Sequence, residues 1–277
     1  MTSPDDTAPA SQPETRVSDV MDPARAAAFQ AALGLVPEIA AGSTLPPFFH
    51  QLYFWTPLPP SDLGRDGHPR VGGGGLIPDL GLPRRMWAGG RLRFEAPLRA
   101  GIAAEKRSVL EKAGRKQGRS GPLGFVTLRH EIRQAGALCL TEWHDLVYRE
   151  DPAPGAPAPV PPEARVDEHD ARAVSFSSTL LFRYSALTFN GHRIHYDLDY
   201  ARQVEGYGGL VVHGPLLAQH LMLMAEEALG PLREFSFRAS SPLMHTERAE
   251  LCRLGRQLWV RGPDGRECMR AEAVPHE

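Results

Sequence analysis

His213–Leu229 reads HGPLLAQHLMLMAEEAL, and the fold follows from it. Pro215 suits a first helical turn, where its missing N–H costs nothing and its fixed φ is already helical. A helix is therefore expected over Pro215–Leu229. Leu216, Leu217, Leu221, Met222, Leu223, Met224 and Leu229 then occupy nearly every face. A helix that is apolar all round is buried, so a sheet must wrap it.

The flanking pattern supplies that sheet. After the helix, strands are expected at Glu234–Ala239, Ala249–Leu254, Gln257–Val260 and Glu267–Ala273. Before it come a strand at Val174–Arg183, a turn-rich segment and a short helix at Asp199–Glu205. Upstream, Asp151–Pro162 (DPAPGAPAPVPP) reads as an extended Pro/Ala linker, and the boundary is placed at 151–165. The first half carries strands at Arg91–Pro97, Ala103–Lys112, Leu123–Arg133 and Ala137–Tyr148. Asp22-Pro23 caps a helix over Arg25–Leu33, whereas FFHQLYFW (Phe48–Trp55) suits strand or helix equally. Between that run and Gly90 lies a long Pro/Gly-dense stretch, which at such length is either functional or disordered.

Leu92–Leu98 (LRFEAPL) echoes Phe235–Leu243 (FSFRASSPL), allowing a two-residue insertion, each just before the last long strands of its half. The expected architecture is α+β: one helix embraced by one curved antiparallel sheet, occurring twice, with the helix degenerate in the first half. The units are then 21–150 and 166–277. Residues 1–20, acidic and rich in Pro, Ser and Thr, read as a disordered leader.

Composition narrows the function. The chain has 277 residues, 42% hydrophobic and 23% charged, with a formal net charge of −2, so a sizeable core forms and no basic surface invites nucleic acid. Cys139, Cys252 and Cys268 are too scattered for a disulfide or zinc framework. No window reaches the ~18 apolar residues of a membrane span, and the N-terminus lacks a secretory signal's basic and apolar regions. A cytoplasmic protein is expected, with no membrane partner.

Chemistry concentrates between Tyr184 and Pro215 (YSALTFNGHRIHYDLDYARQVEGYGGLVVHGP). Asn190 and His195 share a turn-rich loop, where imidazole can exchange a proton near neutrality and Asn can hold water without exchanging one. That spacing alone also suits a structural histidine. His213-Gly214-Pro215 adds a helix start at which the N–H groups of Gly214 and Leu216 are expected to lack intrahelical partners. Positive dipole and close backbone access there suit a carbonyl oxygen gaining negative charge. VGGGGL (Val71–Leu76) lacks the ending of a phosphate loop, and RKQGR (Arg115–Arg119) reads most simply as a solvated hairpin turn, with contact to a phosphorylated cofactor as the alternative. His192, His195 and His213 show no metal-ligand spacing, so no metal is expected.

Asn190–His195 (NGHRIH) resembles the D-x-N-P-[IL]-H signature of MaoC-like enoyl-thioester hydratases, which have the hotdog fold. Tyr196, Asp197, Tyr200 and Ala201, the run Gly209–Gly214 (GLVVHG) and Leu82–Gly90 (LPRRMWAGG) fit the same family. Together they point to the branch of mesaconyl-C4-CoA (3-methylfumaryl-CoA) and itaconyl-CoA hydratases. The resemblance implies a double hotdog that reversibly hydrates an α,β-unsaturated acyl-CoA, with citramalyl-CoA as product. It places catalytic roles on Asn190, His195 and Gly214, with Asn where the family carries Asp. His192 becomes a possible second proton carrier, and His213 a substrate neighbour. A substrate carboxylate would need Arg193, Arg183 or the pair Arg84-Arg85. Coenzyme A would lie between the two units as part of the substrate, no separate cofactor is implied, and a homodimer is expected. The rivals are a 3-hydroxyacyl-thioester dehydratase of fatty acid synthesis and a non-catalytic acyl-CoA-binding hotdog protein.

Overall fold

The computed structural model describes residues 13–72, 75–118, 121–151 and 160–277. Within these, ten strands make one antiparallel sheet. They are β1 (Glu14–Val20), β2 (Arg84–Phe94), β3 (Ala103–Gly118), β4 (Gly121–Gln134), β5 (Ala137–Arg149), β6 (Asp170–Ser175), β7 (Leu232–Ala239), β8 (Arg248–Leu254), β9 (Gln257–Arg261) and β10 (Glu267–Pro275). Their order across the sheet is β1-β3-β4-β5-β2-β7-β10-β9-β8-β6. Each half repeats the same path: edge strand, helical excursion, central strand, then a three-stranded meander.

The sequence echo marks the joint. Leu92 of β2 lies opposite Phe235 of β7, so the two similar segments pair with each other at the centre of the sheet. Both side chains are buried, and each such burial contributes roughly 1.5–3 kcal/mol. The strands meet so closely that a Cβ on Gly90 would come within 2.9 Å of the Phe237 ring, which restricts this crossing to glycine.

Three α-helices fill the excursions: α1 (Pro23–Ala32), α2 (Ser178–Thr188) and α3 (Gly214–Leu229). The expected central helix is α3. Its Leu216, Leu217, Leu221, Met222 and Met224 are all buried, and it packs against β7, β9 and β10. Asp22 caps α1 as expected, its carboxylate accepting from Ala24 N–H at 2.9 Å. No long central helix occurs in the first half among the described residues. Phe49–Leu52 forms a single 3-10 turn there, flanked by Phe48 and Phe54 in left-handed backbone. Phe48, Phe49, Leu52 and Tyr53 fill the space instead, and Pro47 O accepts a hydrogen bond from Gln219 of α3 at 3.0 Å.

Three expectations are corrected. The strand expected at Val174–Arg183 ends at Ser175. Ser177 then caps α2, its hydroxyl accepting from Leu180 N–H at 3.1 Å, and Leu181, Tyr184 and Ser185 make the buried face. The leader expected over residues 1–20 is strand from Glu14. Its polar side chains face solvent while its backbone pairs with β3, and Glu14 and Arg16 bridge to Arg107 and Glu105. Residues 1–12 lie outside the described residues, as do 152–159 of the expected linker, 73–74 of the Gly run and Arg119 of the hairpin tract. Finally, β2 begins at Arg84 rather than Arg91, which carries Arg84, Arg85 and Trp87 into the sheet.

Candidate active site

A cleft of about 2100 Å³ opens between the halves, lined by β2 and β5 on one side and by the 190–196 turn and the start of α3 on the other. The turn begins where α2 ends. Phe189 takes the left-handed conformation, and Asn190 Oδ1 then accepts from His192 N–H at 3.0 Å. Asn190 thus follows a helix rather than a strand. Its oxygen holds the turn, leaving only its amide N–H groups for a ligand in the cleft it lines.

His195 closes a 3-10 turn, Arg193–His195, and lines the cleft. Its Nδ1–H donates to Val211 O at 2.7 Å, which leaves Nε2 as an unprotonated acceptor. Burial pushes this imidazole's pKa down to about 3, so it is neutral at pH 7. His213 stacks on it with ring centroids 3.6 Å apart. The structure corrects the expectation that His213 touches substrate: it is fully buried, caps α3, pairs with Ser185 Oγ at 2.9 Å and backs the His195 ring.

Gly214 begins α3 and lines the cleft. Its N–H has no acceptor among the described residues. Leu216 N–H, expected free, donates to His213 O at 3.0 Å, because the first turn tightens. Gly214 is therefore the one cleft-facing donor of that pair.

The arginines separate clearly. Arg84 is buried against Glu205, Nε 2.8 Å from Oε2, and lies over Tyr207. Arg193 pairs with Asp197 at 2.7 Å and covers Tyr200, and Arg183 is exposed and lies outside the cleft lining. These two are corrected as substrate contacts: one is already paired and the other points elsewhere. Arg85 is half-buried, lines the cleft and makes no ion pair or hydrogen bond among the described residues. Its charge helps to hold His68 and His192 below the ordinary imidazole range, although burial is the larger cause for both.

Reading the sequence named His192 but missed several of its neighbours in and beside the cleft. His192 lies with its ring 5.3 Å from His195 and 4.5 Å from His68, which pairs through Nδ1 with Asp66 at 3.1 Å. Asp66 and His68 come from the Pro/Gly-dense stretch, whose length was the only signal. From β5, His144 packs against Trp87, their tilted rings 4.2 Å apart, and leads to a buried carboxylate, Glu142. Burial would raise the Glu142 pKa, but His144 and His50 outweigh it and keep the group ionised.

Comparison with known proteins identifies the family and the fold. The model of the family "hydroxyacyl-thioester dehydratase type 2" matches residues 48–245. A mesaconyl-C(4)-CoA hydratase of Chloroflexus aurantiacus is 47% identical over 241 residues, covering 83% of this chain and 84% of that protein. Among solved structures, HtdX of Mycobacterium tuberculosis superposes with a TM-score of 0.67 at 18% identity, covering 95% of this chain and 100% of that one. Another Mycobacterium tuberculosis protein, described as a double hotdog, gives 0.58 at 13% identity over 95% of each chain. With the repeated five-stranded path wrapped round α3 and the family match spanning most of its length, this chain is a double-hotdog member of the hydroxyacyl-thioester dehydratase type 2 family.

Proposed function

We propose that the chain reversibly hydrates an α,β-unsaturated acyl-CoA bearing a free carboxylate, with mesaconyl-C4-CoA as substrate and citramalyl-CoA as product. The supporting observation is one cleft holding three parts: neutral His195 with its Nε2 acceptor, the Gly214 N–H at a helix start, and the guanidinium of Arg85, unpaired among the described residues. The close likeness to a mesaconyl-C(4)-CoA hydratase supports the same choice.

The thioester oxygen accepts from Gly214 N–H, where the α3 dipole stabilises developing enolate charge. That polarisation makes Cβ electrophilic. Water gives a proton to His195 Nε2 as its oxygen bonds to Cβ, and Cα gains a proton. Asn190 steadies the water through its amide group. Arg85 receives the substrate carboxylate, since guanidinium matches its two oxygens. The cleft exceeds the 300–1,000 Å³ usual for small ligands, which leaves room for the coenzyme A arm.

A dehydratase acting on uncharged acyl chains would leave Arg85 facing an apolar tail. The test is purified protein assayed with mesaconyl-C4-CoA, itaconyl-CoA and crotonyl-CoA, following enoyl-thioester absorbance. Comparable kcat/KM on crotonyl-CoA would defeat the carboxylate reading.

A further inference from the structure

The reaction needs a proton at Cα, and Asn190 has none to give. We propose that His68, oriented by Asp66, is a second catalytic proton-transfer residue, delivered to the cleft by a loop of the first half. The inference rests on the hydratase reading and deepens it.

The loop carrying Asp66 and His68 is fastened to the 190–193 turn by backbone. A Cβ on Gly67, whose φ is +88°, would lie 2.0 Å from Gly191 O, and one on Gly191 would lie 2.7 Å from Gly67 O. Glycine on both sides is what lets the segments touch. Arg193 N–H donates to Asp66 O at 2.9 Å. Within the loop, Gly64 N–H donates to His68 O at 2.7 Å, and His68 N–H to Asp66 Oδ1 at 3.1 Å. The His68 ring therefore has a defined position beside His192 and lines the cleft.

Of the three histidines in this contact chain, His68 alone has a carboxylate partner. An imidazolium there has a hydrogen-bonded counter-ion, whereas His195 donates only to the Val211 carbonyl and neither His192 nor His195 has a carboxylate hydrogen-bond partner among the described residues. Burial and Arg85 lower the pKa of His68, but its hydrogen bond to Asp66 opposes them and favours the protonated form, so His68 suits the acid and His195 the base. Water loses one proton to His195 Nε2 as its oxygen bonds to Cβ, and the π pair moves to Cα. His68 Nε2–H then protonates Cα and His68 becomes neutral. Exchange with cleft water takes the proton off His195 and restores it to His68. Dehydration runs these steps backwards. The groups facing His68 are Asp66, Arg85, His192, His195 and, through Asp66 and Arg85, Tyr148. A substrate carboxylate on Arg85 would relieve one positive charge opposing protonation of His68, tying substrate choice to acid strength.

The test measures mesaconyl-C4-CoA hydration by the full chain and by His68→Gln and Asp66→Asn from pH 5 to 9. Folding is checked by thermal melts, and bound metal by elemental analysis. His68→Gln is expected to lower kcat by about 100-fold or more, with KM changed less than about threefold, and to remove the alkaline limb. Asp66→Asn is expected to move that limb to lower pH, because the imidazolium loses its counter-ion. A folded His68→Gln with kcat within about threefold of wild type and an unchanged pH profile would overturn the assignment. Stoichiometric divalent metal lost on His68→Gln would overturn it in favour of a metal site on Asp66, His68 and His192, whose ligand atoms lie within 4.8 Å of one another. A wild type inactive on every enoyl-CoA would remove the hydratase reading and this inference together, whereas an active wild type with an indifferent His68→Gln removes this inference alone.

Discussion

Replacing Arg85 by Gln removes a positive charge that lines the cleft and is tied to no other group among the described residues. Its removal strands no internal carboxylate, so the melting temperature is expected to change little. The substrate bears the cost. A carboxylate about 4 Å from a guanidinium gains about 4 kcal/mol at an effective dielectric of ~20. Because Arg85 is only half-buried, solvent screening brings this to about 2–3 kcal/mol. At 1.36 kcal/mol per decade, kcat/KM for mesaconyl-C4-CoA should fall about 30- to 150-fold. Crotonyl-CoA, lacking the carboxylate, should be hydrated at an unchanged or higher rate by the variant. Steady-state assays on both substrates, run side by side with wild type, decide the matter. An equal loss on both would mean Arg85 supports the fold or the coenzyme A arm, and the carboxylate argument would be wrong.

His195→Ala should lower kcat by about 10²–10⁴-fold in a variant that still melts cooperatively at a lower temperature, and near-wild-type turnover would remove this residue as the base. Stability should fall as pH drops below about 6.5. Burial holds the pKa of His195, His192 and His213 down in the folded state, so the unfolded chain binds more protons there, with the His195 share spent by about pH 3. A melting temperature that is flat or rises from pH 7 to pH 5 would contradict this. Gly67→Ala should destabilise by about 1–3 kcal/mol, from the left-handed backbone and the clash with Gly191, and should lower kcat as the loop lifts away. Unaltered melts and kinetics would show that the loop is not held there.

Local signals account for what could be read early. The all-apolar face pattern of Leu216–Leu229 announces a buried helix, and burial needs a sheet around it. Asn190–His195 and His213–Gly214 are short motifs whose local geometry is set within one turn of chain; spacing alone also suits a structural histidine, and it was their resemblance to the MaoC-like signature that put them at one site. The Ser177 cap and the periodic Leu181, Tyr184 and Ser185 were equally local, but the alternation of the preceding residues extended too far and hid α2.

Other features depended on distant partners. Glu14–Val20 has the composition of a tail and becomes a strand because β3 offers it backbone hydrogen bonds and Arg107 a counter-charge. Arg84 and Arg85 are adjacent, chemically alike and both line the cleft, yet alternation along β2 buries Arg84 against Glu205 and leaves Arg85 without an ion pair among the described residues. Asp66 and His68 lie more than a hundred residues from His192, and only the meeting of Gly67 with Gly191 brings them together. Sequence by itself settled the motif and the helix it opens, because those energies are local. The supply of charge and protons from the first half was decided by tertiary structure, because which groups meet depends on strand pairing across the whole sheet.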